Sequence, residues 1–292
     1  MELFDGLEHV VRENESLAPY TWFRLGGAAQ YFAEPTTVDE LSLLVQRSYE
    51  HDVPVRLIGG GSNVLVPDAG VEGLVLHLSA PAFAEIGVTD NQVTAGGGAK
   101  LSHVISTSVR EGLGGLEQMV GVPGTVGGAL HGNAGTQGGD IGQWTRRARV
   151  MTRAGEIRTH ETDSLNFAYR RSSLDELVIL DATFELEQGD SKQLTKRMQT
   201  LWIIKKSKQP KTTENTCAVF RDPGGVDAAS LIEQAGLKGT EVGQASVSER
   251  NANFIVAQPG ATSQSVVELI AKIKAQVFDR TGVELEPTLN IW

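Results

Sequence analysis

The sequence predicts an α+β fold with two or three lobes. Three observations carry this reading. Helix-like and strand-like patterns alternate irregularly, not in a strict strand–helix–strand order. The 292 residues are more than one ordinary domain needs. Composition shifts near 190–215, where LTKRMQTLWIIKKSKQPKTTEN is basic and ends in a Pro- and Thr-containing stretch, the mark of a domain boundary.

The elements follow in order. Segment 37–50, TVDELSLLVQRSYE, reads as a helix, with Thr37 and Glu40 at capping-box spacing and Leu41, Leu44, Val45 and Tyr49 as its apolar stripe. A strand at VPVRLI, a glycine turn and a strand at VEGLVLHL follow. EIGVTD and QVTAGG read as the two strands of a hairpin. Segment 100–111 is a second helix, with Leu101, Val104, Ile105 and Val109 on one face and Gly112 at its C-terminal end. Strands are expected at 147–151 and 178–187, a short helix around SLIEQAG, and a strand at NFIVA. A long amphipathic helix spans 263–281, carrying Val266, Val267, Ile270, Ile273, Val277 and Phe278, with Gly282 after it. VELEPTLNIW is expected as a last strand.

Charge and composition exclude several functions. A net charge of −10 argues against a nucleic-acid or anionic-membrane partner, either of which needs a basic face. Cys217 is the one cysteine, so no internal disulfide forms. No two of the six histidines have HxxxH or HxH spacing, so no metal site is expected. No apolar run reaches the length of a membrane span, and MELFDGLEHVVREN lacks the pattern of a signal peptide. A soluble, cytoplasmic protein is the expectation.

The 33 glycines cluster at 59–61, 96–98, 112–115 and 121–142. Neither GxxxxGK[ST] nor a strand-linked GxGxxG is present, so the two common nucleotide motifs are excluded. The stretches IGGGSNVLV and GLGGLEQMVGVPGTVGGALHGNAGTQGGDIG contain no lysine or arginine. An anion held there would rest on backbone N–H groups, with Ser62, Asn63, Thr125 and Asn133 assisting. Cleavage at a phosphate normally needs a lysine or a metal, whereas an intact dinucleotide does not.

At these clusters the sequence resembles the UDP-N-acetylenolpyruvoylglucosamine reductases, flavoenzymes that complete UDP-N-acetylmuramic acid for peptidoglycan. The resemblance runs through TWFRLGGAAQYFAEPTTVDEL, RLIGGGSNVLV, GLEQMVGVPGTVGGALHGNAG, LNFAYRRSSLDE, AASLIEQAGLKGTEVGQASVSERNANFIV and the final LEP. It implies a two-subdomain FAD-binding fold of the vanillyl-alcohol-oxidase type with a C-terminal α+β substrate domain. The expected divisions are 1–80 and 81–205 for the FAD-binding subdomains and 206–292 for the substrate domain. It implies non-covalent FAD, NADPH as co-substrate, a UDP-sugar substrate and a role in cell-wall biogenesis, hence in cell shape and division. The short run between YRRSS and VILDATFEL indicates the compact branch of the family. The expected FAD contacts are Gly59, Gly60, Gly61, Ser62, Asn63, Gly97, Gly121, Val122, Pro123, Gly124, Thr125, Gly127, Gly128, Asn133 and Gly138. Tyr169, Arg170 and Asn253 are expected at the substrate.

The family reaction reduces an enolpyruvyl ether, so its site holds a carboxylate, stabilises an enolate and supplies a proton. Arg170, in Tyr169-Arg170-Arg171-Ser172, matches the family arginine of a YR[DE]S-like segment, and its planar fork suits a carboxylate. The family's proton-donor block reads G-[SC]-x-F-[KR]-[ND]-P. Counted back from Pro223, Ala218 stands at the donor position and Cys217 at the glycine. Near the C-terminus Thr288 stands where the family has a glutamate, and Glu286 lies two residues away. Cys217 and Glu286 are therefore the nearest catalytic candidates with a proton to give. The resemblance leaves two readings open: a reductase with a rearranged protonation step, and an altered or inactive FAD-binding homologue.

Overall fold

The computed structural model describes residues 2–136, 138–210 and 215–292. The chain divides into two compact units. One comprises Met1–Asn14, Gln30–Gly60 and Glu72–Lys205; the other comprises Glu15–Ala29, Gly61–Val71 and Lys206–Trp292. The segments 15–29 and 61–71 thus cluster with the C-terminal part of the chain.

The first unit carries two sheets, each with its own core. One has the order Val11–Ser16, Ala28–Ala33, Val71–His77, Val55–Ile58, and its last two strands run parallel. The helix Val38–Glu50 packs on it through Leu41, Leu44 and Val45 against Leu74 and Leu76. Its capping box forms as the sequence predicts: Glu40 N–H donates to Thr37 Oγ1 at 3.2 Å, and Thr37 N–H donates to Glu40 Oε2 at 3.3 Å. Tyr49 departs from the expected stripe and is 61% exposed; Ser48 takes the inward place.

The second sheet is antiparallel throughout, in the order Ile157–Glu161, Thr145–Met151, Val178–Glu185, Gln92–Gly96, Ile86–Thr89. The last two strands form the hairpin expected from EIGVTD and QVTAGG. Leu101, Val104, Ile105 and Val109 of the helix Leu101–Arg110 are all buried, as their spacing predicts.

The basic stretch read as a boundary is helical over most of its length, as Ser191–Lys208. Its apolar residues lack helical spacing, and it buries none of its residues. The Pro- and Thr-containing end of that stretch lies partly outside the described residues.

The second unit holds a four-stranded antiparallel sheet in the order Thr216–Ala218, Phe254–Ala257, Ala245–Val247, Glu241–Val242. The helix Ser263–Thr281 covers it with Val266, Leu269, Ile270, Ile273 and Val277, and Gly282 ends the helix in the left-handed conformation. Phe278, expected in that stripe, is 55% exposed. VELEPTLNIW is not one continuous strand. Only Asn290–Ile291 is extended in a ladder, parallel to Val64–Leu65, with one isolated bridge between Phe220 and Pro287. Pro287 has no N–H to give a ladder, which breaks the run. Among the described residues no helix is long and apolar enough to cross a membrane.

Candidate active site

The glycine-rich turns of the first unit meet backbone to backbone. A Cβ on Gly59 would lie 2.6 Å from Thr125 Oγ1, and one on Gly60 would lie 2.8 Å from Gly124 Cα. Any side chain at 59 or 60 would therefore part the two loops. The same closeness recurs one layer below, where Gly127 N–H donates to Gly97 O at 2.8 Å and Gly97 N–H to Leu180 O at 2.7 Å. Gly97 thus joins the loop to the sheet.

This arrangement suits a pyrophosphate. Leu101 N–H donates to Gly124 O and Val126 N–H donates to Ala99 O, which turns the N–H of Thr125 outward. The N–H groups of Gly60, Gly124 and Thr125 donate to no protein acceptor among the described residues. Gly60 is exposed, and Gly124 and Thr125 are half-buried. Three such donors, with no side chain above Gly60 or Gly124, are what an anion cradle requires. Gly61, Ser62 and Asn63, expected beside them, belong to the second unit. Asn63 Nδ2 there donates to Thr288 O at 2.7 Å.

A cavity of about 390 Å³ in the first unit is lined by Asn133, Thr136, Gly138, Asp140, Tyr169 and Arg170, among others. Tyr169 and Arg170 form the tip of the hairpin between Phe167–Ala168 and Arg171–Ser172. Arg170 adopts φ +57°, a left-handed conformation uncommon for a residue other than glycine. Its guanidinium lies 5.6 Å from the centre of the Tyr169 ring.

Asn133 shows what enforces this tip. It is buried, its Nδ2 donates to Ala168 O at 2.8 Å, and its Oδ1 accepts from Gly142 N–H at 3.1 Å. On the other limb Ser172 Oγ donates to His131 O at 3.0 Å. Asn133, expected beside the flavin, thus acts as the frame on which Arg170 is mounted.

The sequence reading missed Lys205. The glycine clusters contain no cation, but the helix Ser191–Lys208 lays Lys205 along one of them: a Cβ on Gly121 would be 3.1 Å from Lys205 Cδ. Burial, with the charge of Arg170 added, lowers its pKa to about 8. No short-range pattern signals this contact, because the two residues are far apart in sequence.

Cys217 and Asn253 both belong to the second unit. Cys217 pairs with Ile255 in an unbulged ladder and is 2% exposed, within a core that includes Val247, Ile255 and Val266. Burial pushes its thiol pKa up to about 12, so it is not placed to give a proton to a substrate. Ala218 faces the other way and is exposed, as strand alternation requires. Asn253 is a clamp on the chain itself: Phe220 N–H donates to its Oδ1, and its Nδ2 donates to Phe220 O, both at 2.8 Å. Glu286 is held in an ion pair with Arg221, and Thr288 Oγ1 donates to Val219 O at 3.1 Å.

Residues 29–161 match the FAD binding domain model, and residues 209–292 match the C-terminal domain of UDP-N-acetylenolpyruvoylglucosamine reductase. A protein of that name from Rhodopirellula baltica is 40% identical over 288 residues, covering 99% of this chain and 94% of the relative. Another from Anoxybacillus flavithermus is 37% identical over 99% of this chain and 97% of its own length. The crystal structure of UDP-N-acetylenolpyruvylglucosamine reductase (MurB) from Thermus caldophilus superposes with a TM-score of 0.82 at 30% identity, covering 97% of this chain and 99% of that one.

Proposed function

The chain belongs to the UDP-N-acetylenolpyruvoylglucosamine reductase family, and on that premise we propose that it reduces the enolpyruvyl group of UDP-N-acetylglucosamine enolpyruvate. The product is UDP-N-acetylmuramate, for peptidoglycan synthesis. The step belongs to the cytoplasm and serves cell shape and division. FAD held by the glycine-rich loops would supply the hydride-transfer chemistry between NADPH and the enolpyruvyl group.

The chain's own residues divide the remaining work. The N–H groups of Gly60, Gly124 and Thr125 hold the pyrophosphate, and Gly59, Gly121, Val122, Pro123, Gly127 and Gly128 shape the loops that present them. Asn133 and Ser172 fix the hairpin that carries Tyr169 and Arg170. Arg170 pairs with the substrate carboxylate and stabilises the charge that develops beside it. The segment 206–292 supplies the domain for the nucleotide sugar. Ala218 brings no proton, so the enolate takes its proton from a group other than Cys217.

The observation that supports this reading best is Arg170 itself. It is a cation on a framed hairpin tip at the edge of a cavity, in the same unit as the close-packed glycine loops. The purified flavoprotein should oxidise NADPH only when the enolpyruvyl substrate is present. A chain that binds FAD and is reduced by NADPH, yet never passes the electrons to that substrate, would refute the assignment.

A further inference from the structure

A carboxylate shares the cavity with Arg170. Among the described residues that line it, Asp140 is the one Asp or Glu. Asp140 stands at the start of the short helical turn Ile141–Gln143, where an aspartate ordinarily accepts an N–H from the first turn. Here its side chain makes no such bond. One of the N–H groups it could take, that of Gly142, donates instead to Asn133 Oδ1 at 3.1 Å. Asn133 thus caps the turn in place of Asp140 and leaves that carboxyl unused. No hydrogen bond or ion pair holds the carboxyl among the described residues. Gly135 leaves it room: the two residues pair across a short antiparallel ladder, and a Cβ at 135 would lie 2.7 Å from Asp140 Cβ. Asp140 is half-buried, so water still reaches it. Tyr169 and Arg170 border the same cavity from the hairpin tip, which Asn133 fixes through Nδ2. One amide therefore mounts the cation with its nitrogen and frees the acid with its oxygen.

We propose that Asp140 is the group that gives the enolate its proton. This rests on the reductase reading. A substrate whose carboxylate pairs with Arg170 brings the carbon next to that carboxylate into the cavity that Asp140 lines. Hydride adds to the neighbouring vinyl carbon and leaves an electron pair beside the carboxylate. That pair takes the proton of the Asp140 carboxyl: the O–H bond breaks, the C–H bond forms, and Asp140 is left as the carboxylate. Water at the half-exposed side chain then restores the proton. Negative charges that face one another across a small cavity oppose each other, which favours the protonated carboxyl while the enolate is present. The role that Ala218 leaves empty is thereby filled from a different element.

The test uses the FAD-loaded full chain with Asp140→Asn, which keeps the shape of the side chain, and Asp140→Ala, which opens space. Stopped-flow absorbance follows the two half-reactions separately: reduction of the flavin by NADPH, and its reoxidation by UDP-N-acetylglucosamine enolpyruvate. Calorimetry measures binding of that substrate to the oxidised protein. Asp140→Asn should slow reoxidation at least about tenfold, general acid catalysis being worth about 10²–10⁴-fold. Flavin reduction and substrate affinity should stay within about threefold. Formate should restore part of the reoxidation rate to Asp140→Ala, because it returns a carboxyl to the space; a residue that only shapes the loop gives no such rescue. The proposal is overturned if Asp140→Asn slows reoxidation less than tenfold, if reduction or binding falls as far as reoxidation, if formate rescues nothing, or if both variants shed FAD. The reductase reading is judged on the unaltered protein. If the substrate does not reoxidise its flavin, that reading fails and the role of Asp140 falls with it. An active unaltered protein beside an indifferent Asp140→Asn refutes the role of Asp140 alone.

Discussion

Replacing Lys205 with methionine should make the protein more stable at neutral pH. In the folded chain burial, then the neighbouring Arg170 charge, lowers the lysine pKa from 10.5 to about 8. At 1.36 kcal/mol for each tenfold change in protonation, that is a penalty of about 3 kcal/mol on the charged form. The unfolded chain binds this proton more readily, so stability rises with pH through the window between the two values. The cost is fully present below about 8 and gone above 10.5. Methionine fills the same space without charge, and so removes the penalty at every pH. Urea unfolding of the FAD-free protein at pH 7 should show Lys205→Met more stable by about 1–3 kcal/mol, with the gap closing towards pH 10. Equal stability at pH 7, or a gap that does not change with pH, would refute the reasoning.

Gly60→Ala should lower FAD affinity at least about tenfold, because the new Cβ meets Gly124 Cα and separates the loops; flavin fluorescence titration measures it, while circular dichroism should remain that of the folded chain. Arg170→Lys should lower kcat/KM about 10–100-fold, since a point charge does not reproduce a bidentate fork; steady-state kinetics decide it. Cys217→Ala should cost about 1 kcal/mol of stability for the volume lost from the core, yet leave reoxidation of the flavin by the enolpyruvyl substrate unchanged in stopped-flow measurements. A slowed reoxidation would restore Cys217 as a participant.

Much of the fold was legible because it obeys local rules. The capping box at Thr37 and Glu40, the hairpin at 86–96 and the left-handed Gly282 each follow from a few adjacent residues. The failures share a cause. Tyr49 and Phe278 sit at the edges of their stripes, and a stripe's edge is set by the element packed against it, not by its own period. The helix Ser191–Lys208 has no buried face, so periodicity had nothing to report.

The site divides along the same line. The close contact of the two glycine-rich loops was legible because glycine is the residue that loop contact of this kind demands. Lys205 and the framing role of Asn133 were not, because each depends on contacts with residues far away in the chain. The strand Thr216–Ala218 is the instructive middle case. Alternation alone says that Cys217 and Ala218 face opposite ways, but not which of them faces the core. The ladder with Phe254–Ala257 settles that, and it settles it against the thiol. The outward position carries only a methyl group. The proton for the enolate is therefore a question for other elements, and Glu286, the carboxylate nearest Thr288 in sequence, is already paired with Arg221. Two altered positions in one block need not mean two lost functions. Cys217 fills core volume at an inward position, and within this block the missing donor is a matter of Ala218.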